Sequence, residues 1–276
     1  MENPDANPSE ADAPAPPARI VASLAPAALA LAVLDTALVL AEQLHAELLG
    51  LFVEDINLAR LARLPFAREV GRLSALERPL AQPDVERLFR VQSTRMRELV
   101  ASAAGPSRLA WSFEAARGQL LAEVLSRRRR GDLVVLAPAS APPHVGHPSP
   151  PARVGRTRHP RRECIAAILT HPTSVAAILS AAAQVAQGQH RGLCACIAAS
   201  PSDADALRHE ALAWIQARGL AARLSILSFA SSQQLAADLR AIKAAALVAG
   251  CPTNSREVVQ VETLRSASPC PLVLVP

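Results

Sequence analysis

Tyrosine is absent from the 276 residues, and aromatic rings of any kind make up 3% of them. A surface that reads nucleic-acid bases by stacking wants more rings than that. Any core must instead be packed from Ala, Leu, Val and Ile. Lysine is nearly absent too, Lys243 being the sole example, so the net charge of +5 is carried by arginine, as in a GC-rich genome. Basicity of that origin is weak evidence for a polyanion, and no nucleic-acid partner is expected. Glycine is sparse, at 11 residues, and no G-x-G occurs. Nor is Lys243 preceded by a P-loop pattern, so neither common nucleotide cradle is present.

The five cysteines, Cys164, Cys194, Cys196, Cys251 and Cys270, all lie in the second half. Their odd number and apolar surroundings suit reduced thiols in a cytosol. No C-x2-C pair with a matching second pair exists, which removes a structural zinc site. Cys194 and Cys196 alternate on one probable strand, so their sulfurs share a face, and the reading taken is packed core thiols. His144, His147 and His159 with Cys164 are irregularly spaced in a proline-rich stretch, and no metal is expected there. No G-x-S-x-G elbow, H-E-x-x-H pair, kinase set or patterned Ser, His and acid is present, so no catalytic residue is named and no enzymatic activity is expected.

Long apolar runs are missing as well. Residues 20–34 are uncharged, but Pro26 lies inside them and Asp35 ends them, which is no transmembrane helix. Residues 1–18 are acidic and rich in Pro and Ala, the composition of a disordered tail, without the basic start of a signal peptide. A soluble, cytoplasmic protein is the expectation.

What is there is an alternation. "IVASLAP" reads as a strand ending at proline, "AALALAVLDTALVLAEQLHA" as a mostly buried helix, and "ELLGLFV" as a strand buried on both faces. A helix follows over residues 83–104, with Val85, Leu88, Phe89, Met96, Leu99, Val100 and Ala103 on one stripe. "RLAWSFEAARG", "QLLAEVLSRRRRG" and "DLVVLAP" give strand, helix and strand. From Cys164 a similar order returns and runs to "CPLVLVP". Strands alternating with helices predict a parallel α/β fold, and the second pass predicts a tandem repeat. The domains expected are a tail over 1–18, a first repeat over 19–138, a Pro/Arg-rich linker over 139–163 and a second repeat over 164–276. The linker stands where the first repeat should place its last helix and strand.

The opening "IVASLAPAA", the second strand "GLFVED" and the closing "SPCPLVLVP", in this order of elements, resemble the universal stress protein family in its two-repeat form. The resemblance implies two Rossmann-like, flavodoxin-like repeats with parallel five-stranded sheets, the first lacking or replacing its last strand. It implies a non-enzymatic bacterial stress-response or regulatory protein. The repeats should pack as a pseudo-dimer, and the missing strand should leave an edge that recruits a protein partner or a second copy as a homodimer.

Ligands of open parallel sheets sit beyond the carboxyl ends of the strands. That places the crevice positions at Ser23, Val53, Glu54, Asp55 and Gly250. Family members that bind ATP have an acid closing the first strand and a G-x2-G-x9-G-[S/T] stretch after the fourth. Here Ser23 and Leu169 stand at the acidic positions. Only Gly250 matches a motif glycine, Thr253 and Thr263 standing at the next two. No tight ATP binding and no cofactor is therefore expected, with ATP or AMP, held by a nucleotide sensor or slow ATP hydrolase, as the alternative. A second alternative is nucleic-acid binding through Arg127 to Arg130 with Arg153, Arg156, Arg158, Arg161 and Arg162. Glu54 and Asp55, at a strand-to-helix junction, are read first as cap or turn residues and second as ligands of a metal or ribose.

Overall fold

The computed structural model describes residues 19–24, 30–71, 75–139, 163–198, 201–229 and 231–276. The expected tail, nearly all of the 139–163 linker, its histidines and its arginines lie outside these residues.

The apolar runs become the interior of one sheet. β1 (Arg19–Leu24), β6 (Leu133–Leu136), β7 (Cys164–Leu169) and β11 (Leu272–Val275) are buried at every position. Flanking them are β2 (Glu47–Asp55), β8 (Gly192–Ile197) and β10 (Ala244–Gly250). The rims, β5 (Trp111–Gly118) and β9 (Ala222–Ile226), are only half covered and carry the mixed sequences of edge strands. The order is β5-β2-β1-β6-β11-β10-β7-β8-β9. Each half thus runs third, second, first, fourth, with a fifth strand described only in the second half.

The sequence expectation is two five-stranded repeats, the first lacking or replacing its last strand, packed as a pseudo-dimer but with an edge left open; the structure joins them in one continuous sheet of nine strands. Every pairing within it is parallel except β11 with β6, where Leu272, Val273 and Leu274 meet Leu136, Val135 and Val134 in antiparallel register. The edge left by the first half's missing strand is therefore taken within the chain. The physical reason is that β6 is apolar on both faces, and its unpaired N–H and C=O groups demand a partner. The argument for a homodimer through that edge loses its footing.

Helices cover both faces. α1 (Ala30–Leu44), α3 (Gln82–Ala104), α5 (Val175–Gly188) and α6 (Pro201–Ala217) pack one core. The opposite core lies under α4 (Leu120–Arg127), α7 (Ser232–Ile242) and α8 (Ser255–Ala267). α1 buries Ala30, Val33, Leu34, Ala37, Leu40 and Ala41 at the spacing of one helical stripe. It meets α5 of the other half so closely that a Cβ on Gly188 would lie 2.5 Å from Val39 Cγ1. Gly50 does the same for α3: an added Cβ would lie 2.8 Å from Val100 Cγ2. On α3 the expected stripe holds for Val85, Phe89, Met96 and Val100, whereas Leu88 is exposed.

A buried ion pair anchors the first half. Asp132 Oδ2 accepts from Arg19 Nε at 3.2 Å, Arg19 Nη2 at 2.8 Å and the Arg129 amide at 2.9 Å, and Arg19 Nη2 also donates to the Arg127 carbonyl. It clamps the start of β1 to the turn before β6, where Gly131 takes a φ of +92° that glycine alone adopts freely. Arg127 itself pairs with Glu123 and Glu114.

Between β2 and α3 the chain makes α2 (Ile56–Leu61) and a small hairpin, β3 (Arg68–Val70) with β4 (Glu77–Pro79). Ala59, Ala62, Val85 and Phe89 form a satellite core with Leu58 and Leu80 against it. Leu61, Leu64 and Phe66, which the apolar pattern would also place there, are exposed.

Candidate functional site

The strand order puts two crevices at carboxyl ends, one in each half, and the predicted positions lie along them. Ser23 is fully buried and its hydroxyl accepts a hydrogen bond from the Ala137 amide at 3.0 Å. It joins the ends of β1 and β6 and presents nothing to solvent. Val53 is half-buried, stands opposite Ala116 of β5 and packs on the α4-side core.

Glu54 and Asp55 divide their work. Asp55 caps α2, its Oδ1 accepting from the Asn57 amide at 2.8 Å. This satisfies one of the four free donors at a helix start. Glu54 accepts from Arg117 Nε at 2.8 Å, and the same guanidinium donates to both oxygens of Glu86 on α3, at 3.0 and 2.7 Å. Arg117 further lies 5.5 Å from the centre of the Phe89 ring. The hydrogen bond from Arg117 holds the Glu86 carboxyl below its ordinary range, and the two carboxylates hold Arg117 firmly protonated. The cluster ties the rim strand β5 to β2 and α3, so both acids have protein partners.

In the second half Gly250 ends β10 with ordinary backbone angles, and a Cβ there would meet only van der Waals neighbours, Ile178 Cδ1 at 3.8 Å and Ser174 Cβ at 4.0 Å. Its conformation does not demand glycine. The loop beyond it is filled from within. Glu257, in the first turn of α8, reaches back: its Oε2 accepts from the Thr253 amide at 2.6 Å and the Thr253 hydroxyl at 2.9 Å, and its Oε1 from Asn254 Nδ2 at 2.9 Å. Asn254 Oδ1 in turn accepts from the Glu257 amide at 3.0 Å. This is a reciprocal cap, in which a carboxylate occupies the donors that would face a bound anion. Those bonds, the Thr253 amide's first, lower the Glu257 pKa. The sequence reading missed it, although an Asn three residues before a Glu at a helix start is its signature.

Thus the structure leaves Ser23 and Gly250 in separate halves, and of the five predicted positions only Val53, Glu54 and Asp55 are neighbours. Among the described residues no group of three or more His, Cys, Asp or Glu is arranged to hold a metal ion, and no helix is long and apolar enough to cross a membrane. Two open clefts lie elsewhere. One, of about 310 Å³, runs between β9 and α7 beside Arg223, Ser225 and Asp238; the other, of about 260 Å³, lies between α7 and α8 beside Gln233, Arg240 and Ser266. Neither touches the crevice positions.

No family model matches the chain, and no curated protein matches it. Among solved structures it is similar to a universal stress protein from Archaeoglobus fulgidus DSM 4304, at 12% identity and a TM-score of 0.49 over 93% of this chain and 97% of that one. It is similar to a putative universal stress protein from Pseudomonas aeruginosa UCBPP-PA14, at 12% identity and a TM-score of 0.49 over 94% and 93%. A functionally unknown protein from Pseudomonas aeruginosa PAO1 gives 12% identity and a TM-score of 0.47 over 94% and 92%. These are likenesses of chain path, and none transfers a residue role.

Proposed function

We propose that this chain is a regulatory protein of the universal stress type that works through protein contacts, neither hydrolysing nor tightly holding a nucleotide. One observation carries the reading: the Glu257 carboxylate already takes the Thr253 amide, the Thr253 hydroxyl and the Asn254 side-chain amide in the loop after β10. A phosphate entering there must displace a carboxylate and meet its charge, and like charges at hydrogen-bond range repel. Ser23, spent on the Ala137 amide, supplies no ribose or metal ligand from the first half. We place the protein in the cytoplasm, where its buried free thiols suit a reducing compartment.

Titration calorimetry of the full chain with ATP, AMP and cyclic nucleotides, with and without magnesium, tests this. Negligible heat up to millimolar ligand is expected. A thermal shift that saturates at micromolar ATP overturns the reading in favour of a nucleotide sensor.

A further inference from the structure

Of the eleven large apolar side chains exposed among the described residues, seven lie between Leu61 and Val91. That stretch runs from the end of α2 through the β3–β4 hairpin into α3. Single exposed leucines need no explanation, but a concentration of them on adjoining elements marks an interaction surface. These elements are fixed to one another by the satellite core of Ala59, Ala62, Val85 and Phe89. Leu80 packs on that core, and its amide closes the base of the hairpin by donating to the Ala67 carbonyl at 2.9 Å.

The hairpin stands clear of the body, with only Glu69 of its two strands half-buried. In the antiparallel register Val70 faces the same way as Arg68 and Glu77, whereas Leu76, one residue before Glu77, takes the opposite face with Arg78. Val70 is 59% exposed, Leu76 71%, and Phe66, beside the base of the hairpin, 75%. A protein partner laid on one face of such a hairpin leaves the apolar side chain of the other in water. A fluid bilayer closes around both.

Charge points to the same occupant. Of the acids between Ile56 and Val91, Glu69 pairs with Arg78, Glu77 with Arg68 and Glu86 with Arg117. Asp84 is the remaining one, in the first turn of α3, where the helix dipole favours it. Arg60, Arg63, Arg87 and Arg90 are exposed and have no acid in salt-bridge contact among the described residues. Arg63 and Arg90 lie within electrostatic reach of the same Glu86 carboxylate, so the cations of α2 and α3 gather around one place. The hairpin itself is charge-balanced by its two cross-strand pairs, and the excess positive charge sits at its foot.

We propose that the β3–β4 hairpin and the arginine-rimmed surface at its foot dock this protein on an anionic phospholipid bilayer, lying on the membrane without crossing it. Phe66, Val70 and Leu76 enter the boundary between headgroups and acyl chains. Arg60, Arg63, Arg87 and Arg90 meet the lipid phosphates with charge-assisted hydrogen bonds. The paired charges on the hairpin cancel what would otherwise resist its entry. This goes beyond the protein contacts proposed above and does not depend on whether a nucleotide binds.

Co-sedimentation of the full chain with vesicles of mixed phosphatidylserine and phosphatidylcholine tests it, against vesicles of phosphatidylcholine alone. Binding to the mixed vesicles only is expected. Raising the salt from about 0.1 M to about 1 M shortens the screening length from about 10 Å to about 3 Å and should abolish it. Phe66→Ser with Leu76→Ser should lower the partition coefficient about tenfold or more, the scale of leaving large apolar side chains in water, with the melting temperature unchanged because both positions are exposed. Arg87→Gln with Arg90→Gln should lower it by about fivefold per cation removed. Ile226→Ser, an exposed apolar position on β9, should change nothing. No sedimentation with the mixed vesicles, equal sedimentation with phosphatidylcholine alone, or full binding by the Phe66 and Leu76 variant overturns the proposal. Concentration-dependent self-association without vesicle binding, abolished by that same variant, also overturns it and gives the surface to a second copy of the chain.

Discussion

Asp132→Ala removes the acceptor that holds Arg19 at the start of β1. Asp132 is fully buried and Arg19 is 7% exposed, so the change strands a guanidinium where water cannot reach it. Breaking a buried pair from one side costs about 3–5 kcal/mol, a large part of a total stability of roughly 5–15 kcal/mol. The Arg129 amide also loses its partner. Urea unfolding followed by circular dichroism should show the midpoint fall with the slope unchanged. The melting temperature should drop by roughly 6–20 °C at ~2–4 °C per kcal/mol. The decisive comparison is the double variant, Arg19→Met with Asp132→Leu. It leaves no uncompensated charge, and only the Arg129 amide and Arg127 carbonyl go unpaired, at about 1–3 kcal/mol each if fully buried. The double variant should therefore be more stable than Asp132→Ala alone, with a coupling energy of about 1–3 kcal/mol. If Asp132→Ala costs under about 1 kcal/mol, or the two changes simply add, the pair is not the clamp described.

At the α1–α5 crossing, Gly188→Ala should destabilise by about 1 kcal/mol: the helix gains about 1 kcal/mol by losing a glycine, but overpacking against the stiff Val39 side chain costs about 1–3 kcal/mol. A stabilised variant in urea titration would show that the two halves do not meet there as closely as described. Glu257→Gln should flatten the acid limb of the stability curve. The folded-state pKa of Glu257 lies below its ordinary 4.5, so its contribution is present above that value and is lost as pH falls through the lowered one. An acid-unfolding curve identical to that of the parent would mean that the bonds to Thr253 and Asn254 do not hold in solution. Asn254→Ala, which removes the other half of the cap, should cost about 1 kcal/mol at neutral pH by thermal unfolding.

The legible parts of the fold are those that one segment decides alone. β6, β7 and β11 read as strands because each is an unbroken apolar run, and burial on both faces requires that. α6 reads to its end because Gly219 supplies the left-handed turn, at a φ of +60°. The hairpin of β3 and β4 was not legible. Its strands are three residues long and exposed, joined by ion pairs of Arg68 with Glu77 and Arg78 with Glu69, and so lack the alternation that marks a strand. The closing of the β6 edge by β11 was hidden for a different reason. Whether the edge of β6 faces solvent or β11 is a matter of partners more than 130 positions apart, Leu136 and Leu272.

The same division explains the candidate site. Glu54 and Asp55 could be narrowed to cap or ligand from their junction, because a helix start needs acceptors wherever it occurs. That Glu54 is spent on Arg117 could not be read, since the guanidinium arrives from β5, 63 residues on. The thiols behave likewise: Cys194 and Cys196 share a face by strand periodicity alone, but only the pairing of β8 with β9 brings Arg223 beside them. An arginine in a strand of five residues looks like an edge residue keeping its head in water. In the sheet it stands opposite Cys194 and donates to the Ile242 carbonyl at the end of α7. Local pattern therefore fixes which groups can share a surface, and sheet order fixes their electrostatic company. In this chain the acids of the crevice both end on protein partners, Asp55 on the Asn57 amide and Glu54 on Arg117.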